Sequence, residues 1–347
     1  MRYKLLGNTG MRVSTICLGT GPFGVAPLED DAIRLVHHAL DVGVNFIDTA
    51  NSYGNFTRLD RAGAPAASER SSAEEIVGKA LKGRRDQVVV ATKVREVVGT
   101  GVLDVGLSRR HVMQQVERSL RALQTDYIDL YHMHGPDTDT PVEQTLKTMD
   151  DLVRQGKVRY FGLSNFSAWR MTNAIGTARL LNTELPVVHQ IGYNLVQRSA
   201  EQDIIPACEH FGVSVTTYGS LNGGLLAGTN VLERAIVGLQ RFREDKSRPV
   251  PFAEAELEAA KHLEKLAVTW GHDPAHLALA WLMSRNVHAS AIIGPETIAE
   301  LDASIPATDL QLDATQLAEL DGLLPPPASW EQRYDNALAE QTDRLGQ

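Results

Sequence analysis

Along the chain, short apolar runs rich in β-branched residues alternate with longer stretches in which apolar residues return every three or four positions. The runs are "TICLGT" (15–20), "NFIDTA" (45–50), "VVVATK" (88–93), "YIDLYHMH" (127–134), "YFGLSN" (160–165), "VVHQIG" (187–192), "VSVTTYG" (213–219) and "SAIIG" (290–294). Such runs read as strands. The stretches between them, such as "SRRHVMQQVERSLRALQ" (108–124) and "PVEQTLKTMDDLVRQGK" (141–157), read as amphipathic helices. Eight strands with at least seven helices between them predict an α/β fold with a parallel sheet, since each strand needs a crossover before the next can pair in the same direction. Strands apolar on both faces are covered on both sides. Eight strand-and-helix repeats suit a closed (β/α)8 TIM barrel better than an open doubly wound sheet. The opening "YKLLGNTGMRVS" reads as a β-hairpin turning at Asn8-Thr9-Gly10 and plugging the barrel bottom. No linker or shift of composition divides residues 1–347, which read as a single domain.

Composition narrows the partners. With 43% apolar residues the chain can bury a large core, and 43 acidic against 34 basic residues give a net charge of −9, which argues against nucleic acid. Cys17 and Cys208 form neither a CxxC nor a metal spacing, so reduced thiols are expected. The N-terminus has no apolar run of signal-peptide length and no stretch approaches membrane-spanning length. The expectation is a cytoplasmic enzyme or binding protein without a membrane partner.

Barrel geometry then locates the chemistry. In such folds active sites are built from the loops at the C-terminal ends of the strands. Here those ends read Gly19-Thr20, Asp48, Lys93, His134, Ser164-Asn165, Gln190, Tyr218-Gly219-Ser220 and Gly294. Asp48, Lys93 and His134 come from the second, third and fourth strands and should converge beside Tyr53. A phenol is a poor acid at neutral pH unless its anion is stabilised, and a nearby ammonium does that. Asp48 as counter-ion would keep Lys93 charged, and His134 could donate a second hydrogen bond to a carbonyl oxygen gaining charge. The plain alternative for Asp48 and Lys93 is a structural ion pair. Phe23, just after the first strand, is a candidate for the substrate pocket. His132 and His134 share one strand face, but later strands lack the ligands to complete a metal site, so His132 and His189 are expected as hydrogen-bonded interior residues. His37, His38 and His276 should face solvent or neighbouring helices. Trp169, Trp270 and Trp281 fall at helical positions and read as packing residues.

On "GNTGMRVSTICLGTGPFG", "NFIDTANSYG", "EEIVGKAL", "VVVATKV", "TDYIDLYHMHGPD", "GKVRYFGLSNFS", "QIGYNL", "YGSLNGGLLAG" and "AIIGPETIAEL", the chain resembles the aldo-keto reductases over nearly its whole length. The resemblance implies hydride transfer between NADP(H) or NAD(H) and a small-molecule aldehyde, ketone or alcohol, with Asp48, Tyr53, Lys93 and His134 as the catalytic set. It also implies that Ser164, Asn165 and Gln190 hold the nicotinamide carboxamide, that Tyr218 stacks on the ring, and that Gly19 and Thr20 floor the site. Ser220, Leu221, Gly224, Leu225 and Gly228 match the loop over the pyrophosphate; Gly294 through Ser304, with Glu296, Thr297 and Glu300, match the segment around the adenosine. Glu296 stands where relatives using the phosphorylated cofactor place a basic residue, Glu300 where they place a glutamine, Ser304 an asparagine and Thr229 a lysine. A carboxylate suits a free ribose hydroxyl rather than a 2′-phosphate. Arg241, Arg243, Lys246 and Arg248 could still supply positive charge, and the family resemblance keeps NADP(H) first with NAD(H) close behind. The insert from Gly54 to Ala73 reads as a mobile loop over the mouth, in which Arg58, Arg61 and Arg70 could meet an acidic or phosphorylated substrate or, more commonly for such charges, be solvated. The alternative function is a cofactor-binding regulatory subunit, like the potassium-channel β-subunits of this fold, with little turnover. The tail from Leu323, Pro-rich and then polar, could return over the mouth or mediate association.

Overall fold

The structure, a computed structural model, describes residues 1–56, 60, 64–228 and 252–328. Thr229, Arg58, Arg61, the four basic residues between 241 and 248, and the tail from 329 lie outside the described residues. An antiparallel hairpin of β1 (Tyr3–Leu5) and β2 (Arg12–Ser14) precedes eight parallel strands. These are β3 (Ile16–Gly19), β4 (Phe46–Asp48), β5 (Val89–Val94), β6 (Ile128–Met133), β7 (Val158–Ser164), β8 (Val188–Gly192), β9 (Ser214–Tyr218) and β10 (His288–Ile293). They pair in sequence order, and β10 returns to β3 to close the barrel. Around it run α1 (Glu29–Asp41), α2 (Ala73–Ala80), α3 (Arg109–Ala122), α4 (Val142–Arg154), α5 (Ala168–Leu181), α6 (Ile204–Phe211), α7 (Glu254–Trp270), α8 (Pro274–Ser284), α9 (Ile298–Ser304) and α10 (Ala314–Leu323). None of the described helices is long and apolar enough to cross a membrane.

The side-chain period of two along a strand explains how one barrel carries both a core and a polar mouth. Cys17, Phe46, Ala91, Leu130, Val188 and Ala289 point inward and pack with Leu6 and Val13 of the hairpin, which seals the bottom. Two residues further along the same inward face stand Gly19, Asp48, Lys93, His132 and Gln190. The outward faces of the strands pack under the helices in one large apolar cluster that includes Ile47, Val90, Tyr131, Phe161 and Val215. The plug is held by a cation as well. Lys4 Nζ donates to the carbonyls of Met283 and Arg285 at 2.6 and 3.1 Å, acceptors that α8 leaves open at its C-terminus, and to that of His288 at the start of β10 at 2.9 Å.

His132 and His189 are interior residues, as expected. His132 Nδ1 donates to Leu163 O at 3.3 Å, and His189 Nε2 accepts from Phe166 N at 3.1 Å. Gly162 makes room for the first ring, because a Cβ there would stand 2.7 Å from His132 Nδ1. His37 bonds the carbonyl of Ala80, His38 the carboxylate of Asp302, and His276 the carbonyl of Ala303. Trp281 is fully buried and Trp270 packs against the core, but Trp169 is 67% exposed on α5. The helical position of Trp169 falls on the outer face, which periodicity alone did not reveal.

Candidate active site

Four expected side chains meet at the C-terminal mouth. Asp48 ends β4, and the next residues turn back over the neighbouring strand. Thr49 N donates to Ala91 O, Asn51 N to Lys93 O, and Tyr53 N closes a turn on Ala50 O at 3.1 Å. That path brings the Tyr53 ring over Lys93, whose Nζ lies 4.8 Å from the ring centroid. Lys93 Nζ donates to Asp48 Oδ1 at 2.5 Å and to Thr49 O at 2.7 Å, and it lies 3.5 Å from the Tyr53 hydroxyl. His134 Nε2 lies 3.4 Å from the same hydroxyl, and the two rings meet edge to face.

The electrostatics follow from burial. Lys93 has no exposed surface and Asp48 only 3%. Burial alone pushes the ammonium toward its neutral form, but the Asp48 carboxylate and the Tyr53 oxygen outweigh it, and the lysine ends above its ordinary value. The ammonium therefore stays charged. Gln190 Nε2 donates to Asp48 Oδ2 at 2.7 Å, so both oxygens of the buried carboxylate are satisfied. Beside Lys93, on the neighbouring strand, burial and then the lysine charge push His132 down to about 3, which leaves that ring neutral.

A second group lies beside the first. Asn165, in the left-handed region with φ of 59°, donates through Nδ2 to His134 O at 3.0 Å and to Ser164 Oγ at 3.1 Å; its Oδ1 accepts from Tyr218 Oη at 2.8 Å. The Tyr218 ring is 43% exposed and lies close over Gly192, where a Cβ would sit 3.2 Å from it. Thr20 donates through both N and Oγ1 to Asp48 O, each at 3.0 Å, and a Cβ on Gly19 would stand 2.7 Å from Ile292 Cγ2. Ser164, Asn165, Gln190, Tyr218, Gly19 and Thr20 thus join the tetrad in one mouth.

The remaining expected residues form two separate loops. After β9, Ser220 Oγ donates to Thr217 O and Ile292 O, and a 3-10 turn, Asn222–Ala227, runs from Leu221 to Gly228 with positive φ at Gly223, Gly224 and Gly228. The Leu225 side chain is fully buried against Phe252 and Ala260. After β10, Gly294 is exposed, Thr297 Oγ1 caps α9 by accepting Glu300 N, Glu296 N donates to Glu300 Oε2, and Ser304 Oγ bonds Glu300 O inside the helix.

Two expectations need correction. Phe23 was placed at the pocket wall but is fully buried in the main core, where it presents no surface to a ligand. Arg70 was expected as a loop charge, either meeting a substrate or solvated; its guanidinium is instead enclosed by four acceptors of the insert itself. The Thr49 carbonyl, which accepts from Lys93, had no signal in the sequence, because a backbone acceptor is common to every residue type.

Comparison with known proteins agrees with this layout. The aldo/keto reductase family profile matches residues 15–325. The uncharacterized oxidoreductase YrpG of Bacillus subtilis (strain 168) is 36% identical over 337 residues, covering 94% of this chain and 97% of that protein. The aldo-keto reductase YhdN of the same organism is 33% identical over 331 residues, covering 93% and 94%. A probable voltage-gated potassium channel subunit beta of Oryza sativa subsp. japonica is 32% identical over 319 residues, covering 89% and 92%. With a closed eight-stranded parallel barrel, a sealed hairpin end and a polar mouth on the opposite side, the chain belongs to the aldo/keto reductase family and is an NAD(P)H-dependent carbonyl oxidoreductase.

Proposed function

We propose that this oxidoreductase reduces an aldehyde or ketone, or oxidises the matching alcohol, with Tyr53 passing the proton. The observation that carries the reading is the continuous contact from Asp48 through Lys93 and Tyr53 to His134. Lys93, kept charged by Asp48, stabilises the phenolate left when Tyr53 gives up its proton to the substrate oxygen. In the reverse direction that phenolate takes the proton from the alcohol. His134, in the tautomer with hydrogen on Nε2, donates to the substrate oxygen as it gains charge.

When bound, the nicotinamide cofactor supplies or accepts the hydride. The donor set fits it. Ser164 Oγ, the Asn165 amide and Gln190 Oε1, which accepts no hydrogen bond from the described residues, suit a carboxamide beside the half-exposed Tyr218 ring. Gly19 and Thr20 floor the site. Ser220, Leu221, Gly224 and Gly228 would cover the pyrophosphate, with Leu225 anchoring that turn in the core. Gly294, Glu296, Thr297 and Glu300 would meet the adenosine, with Ser304 holding the helix behind them. NADP(H) comes first and NAD(H) second.

The test is direct. Purified protein is mixed with NADPH or NADH and a panel of aldehydes, ketones and reducing sugars, and cofactor absorbance is followed. Tyr53→Phe is expected to bind cofactor normally and to lose turnover by about a hundredfold or more; unaltered turnover would remove Tyr53 from its role. The likeness to channel subunits keeps a regulatory reading in view. Cofactor binding without turnover on any substrate class would favour it.

A further inference from the structure

The segment from Gly54 to Ser72 leaves the barrel directly after Tyr53 and returns at the start of α2. Its ends are pinned together. Ala73 N donates to Tyr53 O at 3.0 Å, and a Cβ on Gly54, whose φ is +92°, would stand 2.6 Å from Ala73 N. Among the described residues of this closed base lies one cation. The Arg70 side chain is 1% exposed. Its Nε donates to Gly54 O at 2.9 Å, Nη1 to Asp60 Oδ1 and Pro65 O at 2.7 Å each, and Nη2 to Phe56 O at 2.8 Å. A guanidinium so far from water is tolerated only where its donors are met, and its planar fork reaches acceptors in several directions as a lysine cannot. Three of the four acceptors are backbone carbonyls, so the arginine sets the path of the chain. The neighbouring Ser71 Oγ donates to Glu29 Oε2 at 2.6 Å, and Lys79 pairs with the same carboxylate, which fastens the base to α1.

We propose that Arg70 is a positioning residue for the reaction. By holding the carbonyl of Gly54 it fixes the residue that follows Tyr53, and so keeps the phenol against Lys93 and His134. The inference rests on Tyr53 being the proton donor. The Tyr53 oxygen stands 3.5 Å from Lys93 Nζ and 3.4 Å from His134 Nε2, so a small shift at the base carries it out of reach of both. All four Arg70 bonds go to the chain itself, so the effect falls on turnover and spares cofactor binding.

Arg70→Ala leaves a space shaped for a guanidinium ion. The expected result is cofactor affinity, read by fluorescence titration, near that of the parent enzyme, and kcat lower by about tenfold or more. Millimolar guanidinium should restore much of that kcat while leaving the parent enzyme unaffected. Unchanged kcat, or a loss that guanidinium does not restore in a variant of native circular dichroism, overturns the proposal. Should Arg70→Ala fail to fold, Arg70→Lys keeps the charge without the fork: lower kcat at retained cofactor affinity supports the proposal, and parental kcat overturns it. Tyr53→Phe run alongside separates the two levels. A normally active Tyr53→Phe fells the proton-donor reading and this inference with it; an inactive Tyr53→Phe beside a fully active Arg70→Ala fells this inference alone.

Discussion

Lys93 is a cation with no exposed surface, and its three contacts define the site: a carboxylate at 2.5 Å, a backbone carbonyl at 2.7 Å and a phenol at 3.5 Å. Such a group is costly to bury unless its partners are fixed, and here Gln190 fixes the carboxylate in turn. On the proposed cofactor placement, the same electrostatics would act on cofactor choice at the adenosine end. Glu296 lies in the turn after β10 and Glu300 in the first turn of α9, with Glu300 Oε2 accepting from Glu296 N. A carboxylate repels a 2′-phosphate, so Glu296→Arg is expected to tighten NADPH binding by about tenfold while NADH binding changes little; a titration with no gain for NADPH would contradict this placement of the adenosine end. The meeting of Asp48, Lys93 and His134 was legible because each combines an ionisable type with a strand-end position, and Tyr53 follows β4 by a short turn. Phe23 and Arg70 were not, since burial and acceptor contacts depend on how neighbouring loops close.

All eight barrel strands were legible as elements, because a buried parallel strand is a β-branched run between helical stretches. Their inner faces also obey the period of two, which sets Asp48 above Phe46, Lys93 above Ala91 and Gln190 above Val188. What composition could not convey was the insert after Tyr53. Its Ala, Ser, Gly and Arg content reads as a loop, yet a 3-10 turn, Ala67–Glu69, leads into the buried Arg70, and Ser72 caps α2 through a reciprocal bond with Glu75. One long-range clasp ordering a polar segment leaves no periodic trace. The start of α9 is set by Thr297, whose hydroxyl accepts from the backbone N–H of residue 300.

Closure of the barrel buries three neutral histidines together with the site. Burial pushes His132, His189 and His288 each down to about 3, with Lys93, His132 and Lys4 respectively adding repulsion. Their folded values lie below the unfolded one, so the stability they contribute is complete above about pH 6.5 and is lost as pH falls toward 3. Between pH 7 and 5.5 the loss should be about 1 kcal/mol per histidine, read by urea unfolding; a flat profile over that interval would contradict their burial as neutral rings. The central claim is narrower, that a charged Lys93 lets Tyr53 act as the acid. Its most direct measurement is the pH dependence of kcat/KM for Lys93→Met with a carbonyl that the parent enzyme reduces. The expected result is a rate lower by about a hundredfold or more, with cofactor binding retained and the alkaline fall-off moved to higher pH, because a phenol without its ammonium ionises less readily. A variant that keeps the parental rate and the parental fall-off would contradict the account.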